Sequence, residues 1–275
     1  MTDKILLTGA TGFVGKQVLK ALQKTNSDIT LIVRSNWKEQ IENQNCINSI
    51  VITKDIFSES INWWENVCKS IDTIVHLAWY VEPGKYLQSD KNTKCVLGTL
   101  NLANGAAISG VSRIVGIGTC FEYDLVGGIL SINTPLKPLT PYAIAKVTLF
   151  EKLTTLLMKQ NIEFAWCRLF YLYGEGEDER RLVPYIRSKL KSGLIAELSV
   201  GNQIRDFMDV EEAGQMIADI AKSNLQGAVN VCSEIPTTIR QLAEKIADEY
   251  GRRDLLKFGA RPNDIIDPHC VVGTR

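Results

Sequence analysis

The apolar run Ile5-Leu6-Leu7 leads into Thr8-Gly9-Ala10-Thr11-Gly12-Phe13-Val14-Gly15, and Val18, Leu19, Ala21 and Leu22 follow at helical spacing. Strand, glycine-rich turn and helix, in that order, constrain the fold more than any other stretch. Glycine lets a backbone turn tightly and come close to a phosphate, which the positive end of the next helix attracts. The spacing is Gly-x-x-Gly-x-x-Gly, not the commoner Gly-x-Gly-x-x-Gly. At the start of the chain, between a strand and a helix, it predicts the first unit of a dinucleotide-binding sheet. Gly9, Gly12 and Gly15 are expected around the pyrophosphate, with Thr11, Phe13 and Val14 in the same turn.

Strand-like and helix-like patterns then alternate through the first two-thirds of the chain. Residues 28–33, 49–53, 72–77, 113–117 and 163–169 read as strands, and 90–109 and 142–160 as long helices. Such alternation implies an α/β fold with a doubly wound parallel Rossmann sheet. From Tyr173 the texture changes to a charged loop, Gly174 to Arg181, followed by helices at 182–190, 210–223 and 238–250. Asp209 and Glu212 stand in capping-box positions before the second of these. The expected division is a dinucleotide-binding domain over 1–172 and a smaller C-terminal substrate-binding lobe over 173–275. Within that lobe, 226–240 is expected to return to the Rossmann sheet.

Composition narrows the partners. Lys+Arg and Asp+Glu both number 31, so no basic surplus points to nucleic acid or an anionic membrane. No apolar run reaches the roughly 20 residues a spanning helix needs, and the start lacks a signal-peptide pattern. A cytoplasmic protein is expected. The seven cysteines (46, 68, 95, 120, 167, 232 and 270) are scattered, with no Cys-x-x-Cys, and there are two histidines. Reduced core thiols and no metal site follow from this. His76 reads as a packed strand residue.

The chemistry-bearing pair is Tyr142 and Lys146, four residues apart on one helical face. A phenol beside a fixed ammonium ionises more easily, so Tyr142 is expected to exchange a proton near neutral pH. Thr119 offers a hydroxyl at the carboxyl end of a strand, the edge where open parallel sheets bind ligands. After the second strand, where an NAD-binding chain usually carries an acid, stand Val33 and Arg34. Arginine pairs with a 2′-phosphate, which favours NADP(H) over NAD(H).

These pieces resemble a known family when joined to Asp55-Ile56, His76-Leu77-Ala78, Gly98-Thr99-Leu100-Asn101-Leu102, Tyr171-Leu172-Tyr173-Gly174, Arg205-Asp206-Phe207 and Arg261-Pro262. In that order and spacing the chain is similar, over nearly its whole length, to the extended short-chain dehydrogenase/reductases. The nucleotide-sugar-modifying branch, the NAD-dependent epimerase/dehydratase family, fits best. The resemblance implies that Asp55 and Ile56 sit at the adenine, and that Leu77, Ala78 and Trp79 line the adenosine and ribose side. It implies Tyr142 as catalytic acid/base, Lys146 on the nicotinamide ribose, and Thr119 on the reacting sugar oxygen, with Cys120 beside it. Arg205 and Arg261 are expected on the substrate's nucleotide diphosphate, the alternative for Arg205 being a pair with Asp206 or Asp209. Arg180 is expected to reach the substrate, unless it and Arg181 only balance the loop's acids. The family also implies a homodimer through the helices at 90–109 and 142–160.

Departures from the family pattern select among activities. The sugar-nucleotide dehydratases carry Asp-Glu directly after the threonine, where this chain has Cys120 and Phe121. The fucose-forming epimerase-reductases place a cysteine one residue later than Cys120 and add a histidine absent between His76 and His269. An asparagine expected three residues before Gly98 is Cys95, and the chain runs only 14 residues past Arg261. The expectation is an NADP(H)-linked reductase of a nucleotide-activated keto-sugar, a 4-keto-6-deoxy hexose. The alternatives are a 4-epimerase or dehydrogenase with tightly bound NAD, and a cofactor-binding regulatory protein without catalysis.

Overall fold

The computed structural model describes residues 2–35, 47–262 and 267–275, so Cys46 lies outside the described residues. Among the described residues the main sheet has seven parallel strands. They are β1 (Asp3–Thr8), β2 (Ser27–Val33), β3 (Ile47–Ile52), β4 (Thr73–His76), β5 (Arg113–Thr119), β7 (Glu163–Leu169) and β11 (Gly227–Val231), in spatial order β11-β7-β5-β4-β1-β2-β3. Every residue of β5 is buried, as a central strand covered on both faces requires. Helices α1 (Phe13–Gln23) and α6 (Val210–Ala221) cover one face. Helices α2 (Ile61–Val67), α3 (Lys91–Ser109) and α4 (Pro141–Lys159) cover the other, packing Trp64, Leu102, Leu149 and Leu153 on the sheet. The strand order reverses between β1 and β4, and a crevice opens there at the strands' carboxyl ends.

A second sheet forms the smaller lobe. It joins β6 (Ile129–Leu130), β8 (Tyr171–Tyr173), β10 (Ile204–Asp209), β12 (Pro236–Thr238) and β14 (Cys270–Gly273). The strands β9 (Ala196–Glu197) and β13 (Leu256–Lys257) pair beside it. Helices α5 (Leu182–Lys191) and α7 (Ile239–Glu249) pack Ile186, Leu190, Leu242 and Ile246 into one small core. β11 therefore returns to the main sheet while β12 joins the lobe.

Two elements escape the sequence pattern. β10 pairs with β8, β12 and β14, yet its sequence Ile-Arg-Asp-Phe-Met-Asp has no clean alternation. The reason is that Arg205 and Asp206 are both buried, each held by partners far away in sequence. Helix α2 is only seven residues long and hinges on the Ser60 cap and one buried indole, Trp64. The capping-box reading at Asp209 is corrected: its side chain accepts from Glu211 N instead. The reciprocal boxes are Thr119/Glu122 and Thr238/Gln241.

His76 is a packed strand residue with a defined role. The Ala78 amide donates to Thr8 Oγ1 at 3.3 Å, leaving the Thr8 hydroxyl to donate to His76 Nδ1 at 2.8 Å. On the other side Thr99 donates to the Cys95 carbonyl, so its oxygen accepts from His76 Nε2 at 3.0 Å. This order fixes the neutral Nε2–H tautomer. Burial, helped by the Lys146 charge, pushes the imidazole down to about 3, so it stays neutral. The chain of bonds ties β1, β4 and α3 together directly beneath the glycine turn.

Candidate active site

A cavity of about 600 Å³ lies at the crevice between β1 and β4. Gly9, Gly12, Phe13, Val14, Gly15, Leu77 and Trp79 line one side, and Thr119, Cys120, Tyr142 and Lys146 the next. Residues from β8 and the following loop, among them Tyr171, Glu177 and Arg181, close the far side.

The glycine turn fits a dinucleotide for a steric reason. A Cβ on Gly15 would lie 2.0 Å from the Gly9 carbonyl oxygen, and one on Gly9, at φ +75°, 2.7 Å from the Ala78 nitrogen. No side chain is tolerated where the turn packs against β4. Gly12 caps α1 without a side-chain acceptor, so the first-turn amides of that helix remain available to an anion.

Helix α4 presents the central pair. Thr140 caps it by accepting from Ala143 N at 3.2 Å, and Pro141 occupies the first turn, where its missing N–H costs nothing. Tyr142 and Lys146 are then both buried. Lys146 Nζ donates to the Ile117 carbonyl at 2.7 Å and sits 3.6 Å over the Trp79 ring. The indole is itself held, since Trp79 Nε1 donates to Asn92 Oδ1 at 2.8 Å. No carboxylate among the described residues forms an ion pair with Lys146, so the Ile117 carbonyl and the aromatic face both support its charge against burial. The Thr119 side chain lies beside the Tyr142 phenol and favours its ionised form, and the Tyr142 ring meets Tyr86 edge-on with centroids 4.9 Å apart.

The electrostatics correct one expectation. Burial raises the Tyr142 phenol instead of lowering it, and the Thr119 hydrogen bond offsets only part of that shift. Burial also lowers Lys146, to about 7, against the pull of Glu122. Burial outweighs the Glu122 charge, so the pair is biased toward a neutral phenol and a readily lost ammonium proton.

Thr119 is fixed from behind. Its amide donates to Glu122 Oε1 at 2.8 Å, and its own Oγ1 accepts from Phe121 N at 3.3 Å. Glu122 is fully buried, accepts from Trp166 Nε1, and receives Arg168 Nε at 2.6 Å. Arg168 also donates to the Tyr123 hydroxyl, which donates to Asn230 Oδ1. A carboxylate therefore stands three residues after the threonine, but it is committed to an ion pair and does not line the cavity.

Several expected site residues stand elsewhere. Arg205 is buried on β10, 2.7 Å from Asp267, with its Nη1 donating to the Ile204 carbonyl. It pairs with neither Asp206 nor Asp209, and it does not line the cavity; Asp206 instead accepts from Ser233, Glu234 and Gly273. Arg261 stacks on Tyr185, centroid distance 4.5 Å, in a separate surface hollow with Lys189 and Glu197. Arg180 is exposed and doubly bonded to Asp178, so charge balance within its loop holds it. Its neighbour Arg181 lines the cavity instead. Asp55 accepts from Phe57 N, Ser58 and Lys94, and with Ile56 lies outside the cavity wall, as do Thr11 and Ala78. Arg34 is exposed just past β2. Since β2 adjoins β1 in parallel, it stands at the same sheet edge as the glycine turn.

Asn92 went unread in the sequence, and Tyr86 and Glu177, from the segments 81–86 and 173–181 expected to shape the pocket, had no individual role there. Asn92 carried a signal, lying one helical turn before Cys95, where the family pattern leads one to look for an amide. It supplies polar support from that turn, bonding Trp79, the Tyr86 carbonyl and the Ser89 carbonyl. The other two come from irregular segments with no periodic pattern. No group of three His, Cys, Asp or Glu that could hold a metal occurs among the described residues. No helix among them is long and apolar enough to cross a membrane.

Comparison with known proteins gives a consistent result. The model of the NAD dependent epimerase/dehydratase family matches residues 5–233. A dTDP-6-deoxy-L-talose 4-dehydrogenase (NAD(+)) of Aggregatibacter actinomycetemcomitans is 23% identical over 273 residues, covering 98% of this chain and 99% of that protein. A GDP-6-deoxy-D-mannose reductase of Pseudomonas aeruginosa is 27% identical, covering 90% of this chain and 80% of the relative. Among solved structures, UDP-N-acetylglucosamine 4-epimerase from Methanobrevibacter ruminantium M1, in complex with UDP-N-acetylmuramic acid, superposes with a TM-score of 0.86 at 23% identity. That match covers 100% of this chain and 90% of the epimerase.

Proposed function

The chain belongs to the NAD-dependent epimerase/dehydratase family of nucleotide-sugar-modifying enzymes, and we propose that it interconverts a ketone and an alcohol at C4 of a nucleotide-linked 6-deoxy hexose. The observation that carries this reading is the convergence of Thr119, Tyr142 and Lys146 on one cavity with the glycine turn. Gly9, Gly12, Gly15 and the α1 amides would hold the dinucleotide, with Arg34 near its adenosine ribose. When bound, the nicotinamide supplies or accepts the hydride. Tyr142 donates the proton to the ketone oxygen, and burial keeps its phenol protonated for that task. Thr119 orients the same oxygen through its hydroxyl, and Lys146 places a positive charge beneath the site. Glu122 holds Thr119 in place and takes no part in proton transfer.

Two relatives support a substrate with a 6-deoxy sugar and chemistry at a single carbonyl. One is by name a 4-dehydrogenase, the other a reductase. The test is to incubate the protein with NADPH or NADH and a panel of dTDP-, GDP- and UDP-linked 4-keto-6-deoxy hexoses. NADPH is expected to be oxidised faster than NADH, and Arg34→Asp is expected to reverse that order by removing the 2′-phosphate partner. No oxidation of either cofactor by any member would end the reductase reading. A second reading, a 4-epimerase or NAD-linked dehydrogenase, is favoured by the epimerase superposition and by the NAD(+) in the talose enzyme's name. NAD(H) that co-purifies in stoichiometric amount would select it.

The same proposal includes a homodimer through α3 and α4. Leu97, Ile108, Ile144 and Met158 on these helices are exposed apolar side chains that a second copy would cover. Sedimentation is expected to show twice the chain mass, and Leu97→Glu with Ile144→Lys to give a monomer. A wild-type monomer at tens of micromolar would refute it.

A further inference from the structure

Glu177 stands out among the cavity's residues because one of its oxygens lacks a partner. Its side chain is only 7% exposed, and it lines the cavity from the loop after β8. Arg181 Nε lies 3.9 Å from Oε1, and the Gly174 backbone and the Arg181 charge both favour the ionised carboxyl. Oε2 is buried with no hydrogen-bond partner among the described residues. A buried acceptor left unsatisfied costs about 1–3 kcal/mol, more when charged, so such a group calls for a ligand that satisfies it.

We infer that Glu177 is a specificity-determining residue that accepts a hydrogen bond from a hydroxyl of the substrate's sugar ring. The inference rests on the nucleotide-sugar reading above and adds to it where the sugar is read. The charge sign decides which part of the substrate lies here. A carboxylate repels a diphosphate, whereas a sugar offers neutral O–H donors. The location agrees. Arg181 and Tyr86 line the same cavity, the Arg181 charge acts on the Tyr86 phenol, and the Tyr86 ring packs on Tyr142, so Glu177 faces the chamber where the reacting carbon must lie. Asp178, the neighbouring acid in the wall, is already taken by Arg180. Burial pushes the Glu177 carboxyl up to about 7; Arg181 and Arg187 oppose this and Asp178 adds to it. A group held against its charged form in this way gains most from a donor brought by the ligand.

The test is calorimetric binding to the full-length protein of UDP-glucose, dTDP-glucose and GDP-mannose, each beside its parent nucleoside diphosphate. For the sugar nucleotide the wild type prefers, Glu177→Ala is expected to weaken binding by about tenfold or more, the loss of one charged hydrogen bond. The matching diphosphate should bind within about twofold of wild type. Glu177→Gln keeps a carbonyl acceptor and is expected within about threefold for both. Thermal melts of both variants check that they are folded. Equal loss for sugar nucleotide and diphosphate, or no loss for the sugar nucleotide, would overturn the assignment. A wild type that binds the diphosphates but prefers no sugar nucleotide would overturn it too, while leaving nucleotide recognition intact. A wild type that binds none of them would overturn the nucleotide-sugar reading, and this inference with it.

Discussion

Arg168→Met is expected to lower the free energy of unfolding by about 3–5 kcal/mol, measured in urea. Arg168 and Glu122 are 2% and 0% exposed and lie 2.6 Å apart. Removing the guanidinium strands a carboxylate that burial already pushes up. It also takes a donor from the Tyr123 hydroxyl, which continues the network to Asn230, Leu130 and Thr274. The loss should depend on pH. In the variant, the folded-state pKa of Glu122 rises above its unfolded value, so its contribution is intact at low pH and lost as pH rises through the folded value. The variant is therefore expected to be less impaired at pH 5 than at pH 8. Adding Glu122→Gln should recover much of the loss, because no charge is then stranded. A single variant as stable as wild type at pH 8 would show that the pair is dispensable. The same substitution should slow turnover, since Glu122 holds the Thr119 amide.

Tyr142→Phe is expected to lower kcat by about 10²–10⁴-fold on the keto-sugar that the wild type reduces, with a small change in KM. Phenylalanine keeps the edge-on packing against Tyr86 and Trp79, so the melting temperature should barely move. Only the hydroxyl beside Thr119 is lost. Binding of NADPH, followed by fluorescence, should survive. The wild-type rate carries a further signature. Lys146, lowered to about 7 by burial, is cationic below that pH and loses its charge above it. With Tyr142 still protonated, reduction is expected to decline as pH rises past about 7. A full-speed Tyr142→Phe enzyme would remove Tyr142 from the chemistry.

Much of the frame was legible without coordinates because it rests on local rules. The turn from Thr8 to Gly15 requires glycines whatever surrounds it, and the alternation of strand and helix patterns implies a parallel sheet. Tyr142 and Lys146 share a helical face by spacing alone. The arginines were less legible. Arg180, Arg181, Arg205 and Arg261 look alike in sequence, and their roles separate only by neighbours: Asp178, the cavity, Asp267 and Tyr185. Trp79 was read as part of the ribose wall, and its position over Lys146 depends on Asn92.

The sequence by itself determined the fold, the dinucleotide turn and the identity of the central tyrosine and lysine. These follow from backbone sterics and helical periodicity, which act within a few residues. The tertiary structure alone decided the electrical state of that pair and the company it keeps. Burial is set by the packing of α3, α4 and the sheet. It raises the Tyr142 phenol and lowers the Lys146 ammonium, where spacing alone suggested an easily ionised phenol. It also commits Glu122 to Arg168 and leaves one buried oxygen of the cavity residue Glu177 without a hydrogen-bond partner among the described residues. Desolvation and long-range pairing sum over the whole fold, so no short stretch of sequence contains them.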